Sequence, residues 1–171
     1  MDFESLVACH YKPLYQFAFS LTRDEADACD LTQQTFCIWA AKGHQLRDGS
    51  KVKTWLFTTL HREFLGTRRK LVRFPHVELE QADAELPVVT PSLFNKLDAA
   101  QVLDVLAQMD EIYRAPVALF YLQDHSYHEI AGILEVPIGT VKSRLARGLG
   151  RLHQLLTGGT TTKSSPQQTD P

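Results

Sequence analysis

The apolar positions of this chain recur at helical spacing almost from the first residue. Phe3, Leu6, Val7, Leu14, Phe17, Ala18 and Leu21 fall on one face of a helix over 3–21. Pro13 lies inside that run and predicts a kink or a division into two helices. Thr22, Arg23 and Asp24 interrupt the pattern. A second helix from about residue 24 to 41 carries Ala28, Leu31, Thr35, Phe36 and Trp39 on its apolar side, and Gly43 supplies a stop. After a polar loop over 44–50, Trp55, Leu56, Leu60, Phe64 and Leu65 mark a third helix over 52–70. The pattern lapses beyond 73. It resumes near 97 with Val102, Leu103 and Leu106 and predicts further helices near 116–122, 126–135 and 138–156. No stretch alternates with the period of a strand, so the fold class is all-α.

The lapse divides the chain. Pro75, Pro87 and Pro91 punctuate it, and Glu78, Glu80, Asp83 and Glu85 have no Lys or Arg among them. A loop of this length inside one compact domain is unusual. The expected organisation is two small helical domains, 1–73 and 97–156, joined by an acidic flexible linker over 74–96. The polar Gly-, Thr- and Ser-rich residues 157–171 form a disordered tail.

Composition narrows the classes. The chain has 171 residues, 44% hydrophobic and 22% charged, as globular proteins do. No apolar run approaches the roughly 20 residues of a membrane span, and the N-terminus shows no basic stretch followed by an apolar one. Cys9, Cys29 and Cys37 are odd in number and have no C-x-x-C spacing. They argue against a disulfide framework or a metal site, fit a reducing cytoplasm, and read as small buried apolar residues. The net charge of −2 conceals two basic islands. Residues 42–73 hold nine Lys and Arg against two acids, a net +7, and residues 137–156 hold four against none, a net +4. Two such islands in an acidic chain predict two phosphate-binding surfaces.

The second island sits in a helix-turn-helix pattern. Ser126 and Glu129 form a capping box for a short helix whose buried face is Tyr127, Ile130, Ala131 and Leu134. Pro137 and Gly139 mark the turn, and Thr140 is placed to cap the next helix. At 100° per residue, Arg144, Arg147 and Arg151 lie within about 40° of Thr140, while Val141, Leu145, Leu149, Leu152 and Leu156 gather about 100–180° away. This is an apolar keel opposite a cationic stripe, as a helix lying in the DNA major groove requires. Gly139, Thr140, Ser143 and Arg144, early in the helix, are the candidates for base contact. Arg147, Arg151 and Lys142 are candidates for phosphate.

The stretch Tyr113 to Leu156, and above all Val136-Pro137-Ile138-Gly139-Thr140-Val141-Lys142-Ser143-Arg144, closely resembles region 4 of the extracytoplasmic-function sigma factors. Asp27-Ala28-Cys29-Asp30-Leu31-Thr32-Gln33-Gln34-Thr35-Phe36 resembles their region 2.2, and Lys53-Thr54-Trp55-Leu56-Phe57 with the helix that follows resembles regions 2.3 and 2.4. The resemblance spans about 3–73 and 97–156. It implies a cytoplasmic transcription-initiation factor whose partners are core RNA polymerase and promoter DNA, restrained by an anti-sigma factor. It implies no catalytic residue, metal, cofactor or small-molecule substrate.

Residue by residue, the resemblance implies that Asp27, Asp30, Gln33 and Gln34 dock on the polymerase β′ coiled coil, and that the second domain binds the −35 element and meets the β flap. Lys51, Lys53, Trp55, Thr58, His61, Arg62, Arg68, Arg69 and Lys70, with the loop 45–51, would hold the single-stranded −10 element. Holding a flipped base takes stacking, edge hydrogen bonds and backbone cations together. Leu31 and Phe36 are expected in the core, as is Trp55 where it does not stack on DNA. The chain departs from the family pattern at His61 and Arg62, where an Arg-Asn pair is common, and at Gly66 and Gln34, where acids are common. Two other readings compete. One is a helix-turn-helix regulator working without polymerase. The other is a hydrolase using Cys29 or Cys37 with a histidine, for which no segment sets a nucleophile beside a base.

Overall fold

The computed structural model describes residues 2–71 and 98–158. The expected linker and all but the first two residues of the expected tail lie outside them. Seven α-helices are present among the described residues, and no strand. None of these helices is long and apolar enough to cross a membrane.

The first unit is three helices. α1 (Phe3–Thr22) starts at Asp2, whose carboxylate accepts from the Ser5 N–H at 2.8 Å. It runs through Pro13 as one element, so the expected division into two helices does not occur. The local cost of the missing N–H is met by burial of Leu6, Leu14, Phe17 and Leu21 on either side of it. α1 ends where Arg23 turns left-handed at φ 59°. α2 (Glu25–Lys42) is capped by Asp24, which accepts from the Asp27 N–H at 2.9 Å. Gly43 follows it in right-handed conformation and begins a 3₁₀ turn (Gly43–Gln45), so its role is not the left-handed stop expected of a glycine there. It is close approach: a Cβ on Gly43 would lie 2.5 Å from the Trp39 ring. A second 3₁₀ turn (Gly49–Lys51) leads into α3 (Val52–Leu71).

The second unit is four helices, α4 (Ala99–Leu106), α5 (Glu111–Tyr121), α6 (Tyr127–Leu134) and α7 (Ile138–Leu156). α5 begins at Glu111, five residues before the proline expected to open it, and carries Pro116 inside. The carbonyl of Asp110 accepts from Tyr113 and Arg114, which starts the helix without proline's help. The capping box at Ser126 forms as expected, with Glu129 accepting from the Ser126 N–H at 2.8 Å and Ser126 Oγ from the Glu129 N–H at 3.2 Å. Thr140 is not the cap of α7. The helix starts two residues earlier after Pro137, whose carbonyl takes the Thr140 and Val141 N–H groups. α5 and α7 pack so closely that a Cβ on Gly148 would lie 2.5 Å from Val117 Cγ2.

The two units are docked, and their buried side chains form one continuous apolar cluster. α1 meets α4 and α5, and α3 meets α6. Phe57, fully buried on α3, joins them: its ring lies 5.4 Å from Phe17 and 4.8 Å from the buried His125 of the second unit. Cys9 and Cys37 are exposed and Cys29 is half-buried, all as free thiols, which corrects their reading as buried apolar residues.

Candidate nucleic-acid interface

α7 has the two-sided form its sequence predicts. Val141, Leu145 and Leu152 are fully buried against the rest of the second unit. Lys142, Arg147 and Arg151 stand exposed, as does Gly139, while Thr140, Ser143 and Arg144 are half-buried. Ser143 Oγ donates to the Thr140 carbonyl at 3.1 Å. Burial lowers the affinity of the Arg144 guanidinium for its proton, yet an arginine remains charged at neutral pH. The apolar keel holds the helix by one side, and three cations remain presented on the other.

On α2, Asp27, Asp30, Gln33 and Gln34 are all exposed, and Leu31 and Phe36 are buried beneath them. The side-chain amide of Gln33 reaches back to Cys29 Sγ at 3.4 Å. The result is an open polar ridge set on a rigid helix.

On α3 the resemblance implies a set of basic residues that hold the single-stranded −10 element, and several of them face the second unit. Lys53 Nζ donates to the Gln123 carbonyl at 2.6 Å. Arg62 Nε and Nη2 hold Glu135 Oε1 at 3.1 and 2.5 Å. Arg68 pairs with Glu111 and lies 5.6 Å over the Phe64 ring. His61 is only 8% exposed, with no hydrogen-bond partner for Nδ1. Burial pushes its imidazole down to about 4, with the Glu135 charge opposing the shift and Arg144 adding to it. In this arrangement His61 is therefore a neutral buried ring and not a strand-facing donor. The physical reason is complementarity at long range. Acids more than 40 residues away in sequence meet these cations, and Phe57 and His125 close the apolar contact beside them.

The remaining α3 candidates divide. Lys51 is exposed, 3.9 Å from Asp48, and Arg69 is exposed. Thr58 Oγ1 donates to the Thr54 carbonyl at 2.8 Å. Trp55 is half-buried, edge-on to Trp39 at 5.0 Å, as its core reading expects. The side chain of Lys70 lies outside the described residues.

Sequence reasoning missed the residues that join the units. Arg114, 5% exposed, donates from Nε to the Met109 carbonyl at 3.0 Å and from Nη1 to the Ser20 carbonyl of α1 at 3.2 Å. The side chain of Gln123 donates to Gln16 Oε1 at 3.2 Å. His125, 2% exposed, leaves both ring nitrogens without a hydrogen bond, the Glu129 carboxylate being 3.7 Å from Nδ1. The one available signal was a lone arginine beside the apolar run Ala115 to Leu119.

Comparison with known proteins bears on both units. Residues 6–74 match the family model of sigma-70 region 2, and residues 99–152 that of sigma-70 region 4. The chain is 27% identical to the ECF RNA polymerase sigma factor SigM of Bacillus subtilis over 160 residues, 93% of this chain and 98% of the relative. It is 31% identical to the ECF RNA polymerase sigma factor EcfG of Rhodopseudomonas palustris, covering 84% of this chain and 78% of the relative. Among solved structures it resembles the sigma factor RpoE of Bartonella quintana, crystallised with the anti-sigma factor NepR. The TM-score is 0.70 at 30% identity, over 92% of this chain and 98% of that one. The fold also matches CnrH in complex with the cytosolic domain of CnrY, with a TM-score of 0.62 at 23% identity, over 91% and 87% of the two chains. The region 2 match sets aside the reading of the first unit as a sensing module of a polymerase-independent regulator. With both of its regions matched and relatives aligned along most of its length, the chain belongs to the extracytoplasmic-function RNA polymerase sigma factors.

Proposed function

We propose that α7 reads the −35 element in duplex DNA, with Gly139, Thr140, Ser143 and Arg144 at base edges and Lys142, Arg147 and Arg151 on phosphates. The loop 45–51 and α3 hold the single-stranded −10 element. Lys51, Lys53, Thr58, His61, Arg62, Arg68, Arg69 and Lys70 face the strand once the second unit has left α3, and Trp55 supports that face from within. The ridge Asp27, Asp30, Gln33 and Gln34 docks on the polymerase β′ coiled coil, and the second unit meets the β flap. The chain acts in the cytoplasm and contributes binding energy to promoter opening. It makes and breaks no covalent bond, so it uses no catalytic residue or cofactor. An anti-sigma factor restrains it, as the complex of the Bartonella relative suggests.

The observation that carries this reading is α7 itself, buried by its leucine side and open on its cationic side, in a chain that matches both sigma regions. The test is run-off transcription with purified core polymerase, and failure of the chain to bind core would overturn the reading. Within it, Arg144→Ala is expected to weaken binding to the upstream element by about 1–3 kcal/mol, in a sequence-dependent way. An equal loss on every sequence, measured by gel shift, would make Arg144 a phosphate contact.

A further inference from the structure

The loop between α2 and α3 is fastened at both ends. At its start Gly43 is buried against the Trp39 ring, where a Cβ would lie 2.5 Å away, and Trp39 in turn meets Trp55 of α3 edge-on at 5.0 Å. The Gly43 carbonyl accepts from the Leu46 N–H at 3.0 Å and closes the first 3₁₀ turn. At its end Asp48 Oδ1 accepts from the Ser50 N–H at 3.0 Å and from Ser50 Oγ at 2.6 Å, and the Asp48 carbonyl takes the Lys51 N–H at 3.1 Å. An aspartate that bonds the main chain two residues on imposes a tight turn on it. Between the two fastenings Gln45 and Arg47 stand exposed, and their side chains make no hydrogen bond or ion pair among the described residues. Asp48 and Glu63 are the only acids in residues 42–73, the more basic of the two islands. Asp48 is exposed in a loop that the proposed function gives to an anionic strand, and like charges at short range repel. Its charge opposes that role, so its bonds must explain its place. The Ser50 hydroxyl and N–H, and after them the Lys51 ammonium 3.9 Å away, hold its carboxyl below the ordinary carboxylate range, so it is an ionised acceptor at neutral pH.

We infer that Asp48 is a positioning residue of the −10 pocket: its carboxylate clips the loop into the shape that presents Gln45 and Arg47 to base edges. The inference rests on the proposed function for the assignment of loop 45–51 to the −10 element. A loop already in its bound shape loses less conformational freedom when the strand arrives. An unstacked base is read by hydrogen bonds to its edge, and an amide and a guanidinium held at fixed places match some edges and not others. A loose loop lets the same two side chains adjust to any base, and preference is lost. Asp48 thus trades some attraction for phosphate against selectivity among bases, while Lys51 beside it supplies charge without reading sequence.

The test uses holoenzyme assembled from the full chain and core polymerase. A preferred strand is selected from short single-stranded DNA with a randomised segment, and its affinity is compared with that of a scrambled strand of the same composition. Asp48→Asn keeps the acceptor and removes the charge, whereas Asp48→Ala removes both. The Asn variant is expected to keep the unaltered preference ratio, with equal or tighter binding to both strands because a repelling charge is gone. The Ala variant is expected to lower the ratio about fivefold, the scale of one lost capping bond. Gln45→Ala with Arg47→Ala should lower it with the clip intact. Core binding and affinity for upstream-element duplex should not change in any of the three. The clip is overturned if the Ala variant keeps the ratio of the Asn variant, if the two lose it alike, or if the Gln45 and Arg47 double variant keeps it. The function reading fails separately: an unaltered holoenzyme that selects no strand removes the −10 assignment, whereas one that selects a strand but is indifferent to Asp48→Ala removes only the clip.

Discussion

Arg114 is the cation whose removal should be felt most. It is 5% exposed, and its two hydrogen bonds go to main-chain carbonyls, Met109 in its own unit and Ser20 in the other. Burial lowers the guanidinium's proton affinity first, the charges of Arg23 and Arg68 lower it further, and Asp110 opposes them. A cation can persist there because Ser20 lies in the last turn of α1, whose carbonyls carry the negative end of the helix dipole and have no further turn to bond. Arg114→Met keeps the apolar stem and deletes the fork. Two charge-assisted bonds are lost, a gross of roughly 3–6 kcal/mol at 1.5–3 kcal/mol each. Against this stands the desolvation of a buried ion, several kcal/mol, which the substitution returns. The carbonyls left behind decide the sign, because an unsatisfied buried acceptor costs about 1–3 kcal/mol. The expected result is a net loss of about 2 kcal/mol in urea unfolding, with Arg114→Lys retaining the charge but losing the fork and falling by about 1 kcal/mol. A Met variant as stable as the unaltered chain would refute the reasoning. It would mean that desolvation outweighs the two bonds and that Arg114 does not hold the units together.

Two further outcomes are expected. His61 and His125 are both held near 4 by burial, below their ordinary 6.5. A depressed base favours the neutral folded form, so this stability is complete above about pH 6.5 and falls as the pH drops toward 4. The loss is up to about 1.4 kcal/mol per pH unit for each ring, and urea midpoints at pH 7 and pH 5 should differ accordingly. His61→Leu should remove about half of that dependence, since His125 remains, and an unchanged slope would exclude His61 as a source. Gly148→Ala places a methyl 2.5 Å from Val117 Cγ2, so overpacking of about 1–3 kcal/mol should outweigh the roughly 1 kcal/mol helix gain, and thermal melting should show a lower Tm.

Most of the secondary structure was legible because each helix announces itself locally. Leu14, Phe17 and Leu21, or Val141, Leu145 and Leu152, mark a buried stripe at a spacing only a helix satisfies. Ser126 is read as a cap because a cap bonds within three residues of itself. The prolines were misread for the complementary reason. Pro13 and Pro116 signal a helix boundary by local rules, but they sit in helices held by packing on both sides, and tertiary burial outweighs the missing N–H. The cationic face of α7 was legible as well, since stripe and keel lie on one helix.

The chain's own pattern therefore determined an all-α protein, the exposed ridge of α2, the two-sided form of α7 and, through its motifs, membership of the sigma factors. What only the tertiary structure decided is the fate of α3. Whether Lys53, Arg62 and Arg68 face solvent or Gln123, Glu135 and Glu111 depends on partners more than 40 residues distant, brought together by the docking of Phe57 against His125. The burial of His61 and the seat of Arg114 on the end of α1 follow from the same docking. Helical periodicity records which face of an element is apolar. It carries no information about which other element will cover it.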